Sequence, residues 1–312
     1  MPPQYLDRKS VAALLPMYDC ITVMEQTFRS LAAGNTLQPL RSLMWLPDKS
    51  GILGMMPGYA KTPNILGIKV ITIFHANGAL GLPSHQGVVM LFDAKQGTPL
   101  LILDAAEITA IRTAATSALA TKLLARPDAA NLAILGTGEQ AERHIQAISL
   151  VRTIDRITIW GRNNDHAETL ARKFKNTQIA PTAKEAVSDA DIICTVTASR
   201  EPILFGEWIP EGAHINAVGS CTPATRELDT AAVLRSRLFT DRYESLFNEA
   251  GEFLIPKKEG FLTETDTQAE LGELLTGTKE GRKNAAEITL FKSLGIAAED
   301  LFSAHHIFEK LQ

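Results

Sequence analysis

Apolar and polar residues follow two different periods along this chain. Residues 9–33 place apolar side chains at helical spacing, and Pro16 predicts a restart within that helix. From about residue 42 to 103, short β-rich runs are separated by Gly, Pro, Asn and Asp, which predicts strands of a mostly antiparallel sheet. A long helix rich in Ala and Thr is predicted over residues 107–125, and the Arg-Pro pair that follows marks its end.

The second half of the chain has a strand–helix–strand rhythm. Buried strands are predicted at NLAILG (131–136), RITIW (156–160), DIICTVTA (191–198), HINAVG (214–219) and RLFTD (237–241). Helices are predicted at EQAERHIQAISLV (139–151), DHAETLARKF (165–174) and KEAVSDA (184–190). Apolar strands that alternate with helices are typical of parallel βαβ units. The C-terminal stretch ITLFKSLGIAAEDLFSAHHIFEKL is predicted to be one more helical segment.

Composition and charge narrow the class of protein. At 312 residues the chain is long enough for about two domains, and its 45% hydrophobic and 21% charged residues are ordinary for a globular protein. A net charge of −4 argues against a nucleic-acid groove, because phosphate binding requires concentrated Lys and Arg. The sequence has no apolar run of about 18 residues and no signal-like N-terminus, so we expect no membrane association.

Cysteine and histidine positions do not predict a metal centre. Cys20, Cys194 and Cys221 are odd in number and far apart, so neither a disulfide framework nor a zinc spacing is visible. We therefore expect a reduced, cytoplasmic protein. The histidines show no metal-ligand spacing, and no GxSxG motif supports hydrolase chemistry.

Residues 132–146, LAILGTGEQAERHIQ, have the outline of a phosphate-binding turn. Gly136 follows the predicted strand, and Gly138 and Ala141 continue a Gly-x-Gly-x-x-Ala pattern into a helix. The first glycine permits a tight turn, the second lets the backbone approach a pyrophosphate, and the small third residue lets helix pack on strand. The helix N-terminus offers N–H groups to the phosphates. A dinucleotide site is expected, and the alternative is a glycine-rich structural turn.

The end of the next strand distinguishes NAD from NADP. An NAD site usually has an acid there for the ribose 2′-hydroxyl, whereas this chain reads Trp160-Gly161-Arg162-Asn163 and has no acid before Asp165. An arginine at this place suits a 2′-phosphate, so NADPH is expected and NADH stays possible. The alternative is that Arg162 is a solvated loop residue and Asp165 a displaced ribose ligand.

Four polar features stand out in the N-terminal half. Lys69 lies inside GIKVITIF, where it is either functional or an edge-strand lysine that points to water, because burying an unpaired cation is costly. Arg112 lies in a helix of small and apolar residues and needs an anion or a carboxylate partner. Arg41, just before a strand, is a candidate carboxylate clamp. His85, after Ser84, is either a donor to a ligand or structural.

The chain resembles the ornithine cyclodeaminase/mu-crystallin family over essentially its whole length. The matching stretches are GIKV, PSHQGVVMLFD, ITAIRTAATSALATKLLA, LAILGTGEQAERH, EPILFGEW, GAHINAVG, RELD and FKSLGIAAED. The resemblance implies an α/β fold, with a Rossmann dinucleotide-binding domain inserted in an α+β substrate-binding and dimerisation domain. The expected domains are residues 1–116 with 293–312 for the substrate and the dimer, and residues 117–292 for the nucleotide.

The resemblance assigns roles to individual residues. Arg41 and Arg112 match the arginines that bind the substrate carboxylate, and Lys69 matches the active-site lysine near the reacting group. Positions that match the nicotinamide end or line the cofactor cleft are Ser84, His85, Thr195, Val196, Thr197, Val218, Gly219, Lys292 and Ser293. Further cofactor contacts are expected at Arg112, Thr113, Gly136, Thr137, Gly138, Glu139, Gln140, Arg162 and Asn163.

One departure from the family pattern bears on the reaction. Cyclodeaminases and the alanine dehydrogenase of the family carry an Asp shortly after INAVG, and Cys221 stands at that position here. Without this carboxylate, oxidative deamination of ornithine lacks its expected base, whereas reduction of a preformed imine needs less. Cys221 is then either a weak hydrogen-bond donor of the catalytic site or a small residue that fills space.

The resemblance therefore implies an NAD(P)H-dependent oxidoreductase that acts on CH–NH bonds. Its expected substrates are small cyclic imino acids: Δ1-pyrroline-2-carboxylate, reduced to proline, and Δ1-piperideine-2-carboxylate, reduced to pipecolate. A homodimer is expected, with neither a nucleic-acid nor a membrane partner. Two alternatives stay open: an ornithine cyclodeaminase, and a mu-crystallin-like protein that binds NADPH and a small ligand with little turnover.

Overall fold

The chain folds into two compact units. The structure, a computed structural model, describes residues 3–312 except for the side chains at positions 75, 78 and 79. The first unit comprises the described residues up to Arg112 together with Gly295–Gln312, and the second comprises Thr113–Leu294. The domain boundaries expected from the sequence, after residues 116 and 292, lie a few residues from these bounds.

Strands and three α-helices make up the described residues up to Leu124. They are β1 (Gln4–Leu6), α1 (Arg8–Leu14), α2 (Met17–Ala32), β2 (Thr36–Leu37), β3 (Ser42–Trp45), β4 (Ile52–Ala60), β5 (Ile65–Ile73), β6 (His85–Asp93), β7 (Pro99–Asp104) and α3 (Ala105–Leu124). The break between α1 and α2 falls at Pro16, which is the N-cap of α2. The predicted restart is confirmed.

The remaining elements alternate between strand and helix. They are β8 (Asn131–Leu135), α4 (Glu139–Val151), β9 (Arg156–Trp160), α5 (Asn164–Ala171), β10 (Thr177–Ile179), α6 (Ala183–Val187), β11 (Ile192–Thr195), β12 (His214–Ala217), α7 (Thr230–Leu234), β13 (Ser236–Thr240), α8 (Tyr243–Glu249), α9 (Gly251–Lys258), β14 (Thr267–Glu270), α10 (Leu271–Thr276), β15 (Ile288–Lys292) and α11 (Ala297–Lys310). Within residues 3–312, no helix has both the length and the apolar character that crossing a bilayer requires.

The sheet of the first unit is mostly antiparallel. Its described strands run in the order β1-β7-β6-β5-β4-β2, with β3 on β4, and only β1 pairs parallel to its neighbour. Buried and less buried side chains alternate along β4 and along the first five residues of β5, because successive residues of a strand point to opposite faces. The buried face packs against α11, and α11 also packs against α2. Lys69 lies on that buried face, in register with Val89 of β6.

The second unit has a parallel sheet with a change of winding direction. Its described strands follow the order β10-β9-β8-β11-β12-β15-β13-β14, and every pair is parallel. The chain winds outward in one direction from β8 to β10 and in the other from β11 onward. In such doubly wound sheets, ligands bind beyond the carboxyl ends of the strands where the direction changes. The predicted fold class is confirmed, and the expected ligand position is beyond β8 and β11.

The C-terminal stretch corrects one prediction. Residues 288–292 are strand β15, and the final helix begins only at Ala297, so the prediction of a single helical segment is wrong for its first part. β15 is buried along its whole length and lies between β12 and β13. A short apolar run of this kind has no periodicity that separates a buried strand from a buried helix. Here the run forms a strand because it pairs with two parallel strands.

Candidate active site

A buried lysine–aspartate pair lies at the centre of the first unit. Lys69 of β5 is only 2% exposed, and its Nζ lies 2.7 Å from Oδ2 of Asp300 on α11. The alternation of β5 puts Ile65, Gly67 and Lys69 on the face that α11 covers. Lys69 is therefore not an edge-strand lysine that points to water.

Arg112 reaches the same aspartate from α3. Its Nε lies 3.2 Å from Oδ1 of Asp300, and its Nη1 lies 2.9 Å from Oε2 of Glu299. Both acids are fully buried, and Arg112 is nearly so. The carboxylate partner that an arginine in this helix requires is therefore present, and α11 supplies it.

Arg41 completes a group that we call the cationic cluster, made of Arg41, Lys69, Arg112, Glu299 and Asp300. Nη2 of Arg41 donates to the Gly295 carbonyl oxygen at 2.9 Å. Arg41 also lies close enough to Lys69 to help lower its pKa. The cluster brings three cationic side chains together with two carboxylates, and guanidinium groups such as those of Arg41 and Arg112 suit a bound carboxylate.

Burial and charge act together on Lys69. Desolvation lowers its pKa, Asp300 raises it, and Arg112 and Arg41 lower it again, to about 8. The balance differs from that of an isolated ion pair because Asp300 divides its two oxygens between Lys69 and Arg112. Lys69 can therefore hold or release a proton near neutral pH.

Glu299 and Asp300 were not among the residues that the sequence pointed to. Both lie in FKSLGIAAED, a stretch that carries the family resemblance, but neither was assigned a role. The sequence did offer an indication, because two adjacent acids that follow apolar residues in a helix are costly to bury unless cations pair with them.

The turn after β8 in the second unit fits a dinucleotide. Gly136 has a φ of +133°, and a Cβ placed there would lie 2.8 Å from the Val196 carbonyl oxygen, so only glycine lets this turn pass the end of β11. Gly138 is the N-cap of α4, and no side chain caps the helix there. A Cβ built on Gly138 would have no described atom within 4 Å. An open N-terminus of a 13-residue helix beside that turn is what a pyrophosphate requires.

The other residues of this turn lie around the same helix end. Thr137 is partly buried, Glu139 is exposed and Gln140 is partly buried. Thr113, the first residue of the second unit, is buried in α3. These positions stay predicted cofactor contacts.

The segment after β9 contains the residues that bear on cofactor choice. Arg162 is exposed, and Asn163 caps α5 by accepting a hydrogen bond from the His166 backbone N–H at 3.2 Å. Asp165 is exposed in the first turn of α5. Asn163 thus has a structural task, whereas the Arg162 side chain faces solvent.

A buried glutamate joins the segments that follow β11 and β12. Glu227 accepts hydrogen bonds from the hydroxyls of Thr195 and Thr197 and from the backbone N–H groups of Thr197 and Gly219. All three of these donor residues were predicted to line the cofactor cleft, and Glu227 brings them together. Glu227 itself was missed, although it lies in the matching stretch RELD.

Lys292, at the end of β15, is completely buried. Its Nζ donates to the Ser220 carbonyl oxygen at 2.6 Å and lies 3.2 Å from Oε2 of Glu252. Burial opposes its charge, but Glu252, then Cys221 and Glu227, outweigh burial and raise its pKa. Ser293 is also buried, and its backbone N–H donates to the Ala217 carbonyl oxygen.

The remaining predicted site residues lie in different units: Cys221 in the second, and Ser84 and His85 in the first. Cys221 is partly buried, packs against the apolar core of the second unit and donates from Sγ to the Val218 carbonyl oxygen at 3.7 Å. In the first unit, the exposed Ser84 hydroxyl and His85 Nδ1 lie 2.9 Å apart. The side chains described in residues 3–312 contain no group of three or more His, Cys, Asp or Glu arranged to hold a metal ion.

Known proteins share both the sequence and the fold of this chain. The model of the ornithine cyclodeaminase/mu-crystallin family matches residues 3–312. The ketimine reductase mu-crystallin of Mus musculus is 39% identical over 277 residues, which cover 88% of this chain and 86% of that protein. A Δ1-pyrroline-2-carboxylate reductase of Bacillus cereus is 36% identical over 303 residues, which cover 95% of this chain and 93% of that protein.

Solved structures agree with these relatives. The Δ1-pyrroline-2-carboxylate reductase of Thermococcus litoralis, in complex with NADH and L-proline, matches with a TM-score of 0.95 and 37% identity over 98% of this chain and 96% of that one. A dimeric archaeal alanine dehydrogenase with bound NAD matches with a TM-score of 0.93 and 29% identity over 99% and 96%. The predicted resemblance is confirmed: this chain belongs to the ornithine cyclodeaminase/mu-crystallin family.

Proposed function

We propose that this protein is an NADPH-dependent reductase of cyclic ketimines. It would reduce Δ1-pyrroline-2-carboxylate to proline and Δ1-piperideine-2-carboxylate to pipecolate. The observation that carries the proposal is the cationic cluster, in which Lys69 and Arg112 are buried and share Asp300. The names of the relatives at 36–39% identity, which are ketimine and pyrroline-2-carboxylate reductases, support it.

The cationic cluster would bind the substrate carboxylate. A guanidinium presents parallel N–H donors that match a carboxylate, so Arg41 and Arg112 would fix both the position and the ring face of a planar imino acid. Asp300 and Glu299 hold Arg112 in one orientation before the substrate arrives. Holding the reacting atoms in place is a large part of catalysis in such a reaction.

Lys69 would act on the proton side of the reaction. NADPH, when bound, supplies the hydride that adds to the imine carbon. The nitrogen must gain a proton as the C=N bond becomes a C–N bond. With a pKa of about 8, Lys69 is mostly protonated at neutral pH yet close enough to its pKa to give the proton up, directly or through an ordered water.

The preference for NADPH rests on the segment after β9. No acid occupies the end of that strand, and Arg162 is exposed at the place where a 2′-phosphate would lie. The Thermococcus litoralis relative was solved with NADH, so the preference needs its own test. Arg162→Asp is expected to shift the NADPH/NADH ratio of kcat/KM toward NADH by about tenfold or more, since it exchanges a favourable charge for a repulsive one. An unchanged ratio would mean that the 2′-phosphate is recognised elsewhere.

A direct assay tests the reaction. Purified protein is mixed with Δ1-pyrroline-2-carboxylate and either NADPH or NADH, and the loss of reduced nicotinamide absorbance is followed. No loss with either cofactor would refute the reductase and favour a protein that binds NADPH and a small ligand. Release of ammonia from ornithine in the presence of NAD would instead favour a cyclodeaminase, the reaction for which Cys221 replaces the expected Asp.

We further propose that the protein is a homodimer formed through the open face of the first unit's sheet. Met55, Ile68, Val70, Val88 and Met90 lie on the face opposite α11 and are only partly buried, and they pair across neighbouring strands. A continuous apolar face of this kind marks an interaction surface. Val70→Glu is expected to convert a dimer into monomers in light scattering, whereas Lys184→Glu on α6 should not. A wild-type monomer would refute the proposal.

The cysteines support a cytoplasmic location. Cys20, Cys194 and Cys221 are all free thiols. Burial raises the pKa of Cys20 and of Cys194 to about 12, so both are kept as unreactive thiols. Cell fractionation would test this location, and recovery outside the cytoplasm would refute it.

A further inference from the structure

The carboxylate of Glu227 has a donor on every side. Oε1 accepts from the Thr197 backbone N–H and hydroxyl, both at 2.7 Å. Oε2 accepts from the Gly219 backbone N–H at 2.7 Å and from the Thr195 hydroxyl at 2.8 Å. Glu227 is completely buried, so these bonds replace all of its hydration.

These bonds join two separate segments at one edge of the parallel sheet. Thr195 ends β11 and Thr197 lies just beyond it, while Gly219 lies just beyond the end of β12. A Cβ on Gly219 would lie 2.1 Å from the Thr197 carbonyl oxygen and 2.6 Å from Oε1 of Glu227, so the contact requires glycine. The carboxylate therefore sets the distance between the two strand ends.

The backbone of Glu227 is held in place by a second buried glutamate. Its backbone N–H donates to Oε1 of Glu252 at 2.9 Å, and the other oxygen of Glu252 faces Lys292. Lys292 donates a hydrogen bond to the carbonyl oxygen of Ser220, the residue after Gly219. The result is a closed buried ring that begins and ends at the segment after β12, and none of its three charged side chains is exposed to solvent.

We propose that Glu227 is a positioning residue for the nicotinamide half of the cofactor. The inference rests on the dinucleotide site of the proposed function. In a doubly wound sheet the β8–β10 half receives the adenosine end, and the half that begins with β11 receives the other end. Glu227 holds the backbone of that second half, so it would shape the surface on which the nicotinamide and its ribose lie.

Replacement by glutamine keeps the shape of the side chain but disturbs its hydrogen bonds. Each carboxylate oxygen faces one backbone N–H, from Thr197 on one side and from Gly219 on the other. The amide group of Glu227→Gln would meet one of these N–H groups whichever way it turned. A buried donor without an acceptor costs about 1–3 kcal/mol, so at least one segment should move away.

The experiment compares two probes on the same full-length protein. Kd values for NADPH and for adenosine 2′,5′-bisphosphate, which lacks the nicotinamide half, are measured by fluorescence and calorimetric titration. For Glu227→Gln we expect the Kd of NADPH to rise by about tenfold or more and the Kd of the bisphosphate to stay within about twofold. A loss of general stability would change both values together, so the ratio reports positioning alone.

Asp191 provides a matched control at the opposite end of the same strand. It directly precedes β11, and its Oδ2 accepts from the backbone N–H groups of Ala130 and Asn131 at 3.0 and 2.9 Å. Asp191→Asn thus weakens a carboxylate–backbone contact of the same kind, away from the cofactor. We expect it to lower the melting temperature but to leave both Kd values near those of the wild type.

The outcomes separate this inference from the proposed function. Equal Kd values for wild type and Glu227→Gln, or an equal rise for both probes, would overturn it. If Glu227→Gln does not fold, Thr195→Val removes one donor to Oε2 and should raise the Kd ratio a few-fold; an unchanged ratio would again overturn it. A wild type that binds NADPH without reducing the imine would refute the substrate assignment and leave this inference standing. A wild type that binds neither probe would refute both.

Discussion

Two buried lysines, one in each unit, have opposite electrostatic surroundings. Lys69 and Lys292 are 2% and 0% exposed, and each lies within 3.2 Å of a buried carboxylate oxygen. Yet the pKa of Lys69 falls to about 8, whereas the pKa of Lys292 rises. Burial lowers both pKa values, so the difference comes from the neighbours.

The two lysines also differ in the sign of the charges that surround them. Lys69 shares its acid with Arg112, and Arg112 and Arg41 both lower its pKa, so a ligand carboxylate would stabilise the charged lysine. Lys292 faces Glu252 and a carbonyl oxygen, and Glu227 lies close by, so its charge is answered within the protein. Lys69 therefore lies where a ligand carboxylate would be stabilised, whereas the charge of Lys292 is stabilised by acids of the protein itself.

The largest expected effect comes from removing each lysine in turn. Lys292→Met would leave Glu252 without its cation, and it should lower the free energy of unfolding by about 3–5 kcal/mol. Lys69→Met should cost much less stability, because Asp300 keeps Arg112, but should lower kcat/KM on the order of a hundredfold. Chemical denaturation and steady-state kinetics on both variants give the comparison. An equal loss of stability in the two variants would mean that the surroundings of the two lysines do not differ in this way.

A smaller effect is expected from the acid that Lys69 and Arg112 share. Asp300→Asn removes the carboxylate that raises the pKa of Lys69, so that pKa should fall further below about 8. At pH 7.5 less of the lysine would then be protonated, and kcat/KM should fall by about tenfold. Glu299→Gln is the matched control, since it leaves the partner of Lys69 in place. If the control lost as much activity with the same pH profile, Asp300 would have no special part.

The mildest test uses pH alone. Pyrrole-2-carboxylate is a planar carboxylate without a basic nitrogen, and its Ki should be constant below pH 7. Above pH 8 the Ki should rise, by at most tenfold per pH unit, because Lys69 loses its charge there. Lys69→Arg keeps the charge and should remove this rise. A wild-type Ki that stays flat to pH 9.5 would show that the charge of Lys69 does not help the cationic cluster to bind a carboxylate.

The regular elements could be predicted largely from local patterns. The glycine spacing at 136–138, between an apolar strand and a helix, predicted the turn that the structure shows after β8. β15 could not be predicted this way, because ITLFK is as apolar as a buried helix and only its two parallel neighbours make it a strand. The short strands β10 and β14 were likewise missed, since three or four residues carry little periodicity.

The sequence by itself determined which residues were unusual, and the tertiary structure decided what they pair with. Lys69 and Arg112 stood out because a cation in an apolar strand or helix is costly, a property of their immediate neighbours. Their partners Glu299 and Asp300 lie almost 200 positions further along from Arg112, and Glu227 reaches Thr195 across 32 positions. The residues around each position do not indicate which distant residues it will contact in the folded chain. Only the folded chain, which brings α11 onto β5 and joins the ends of β11 and β12, shows which acids and donors these residues contact.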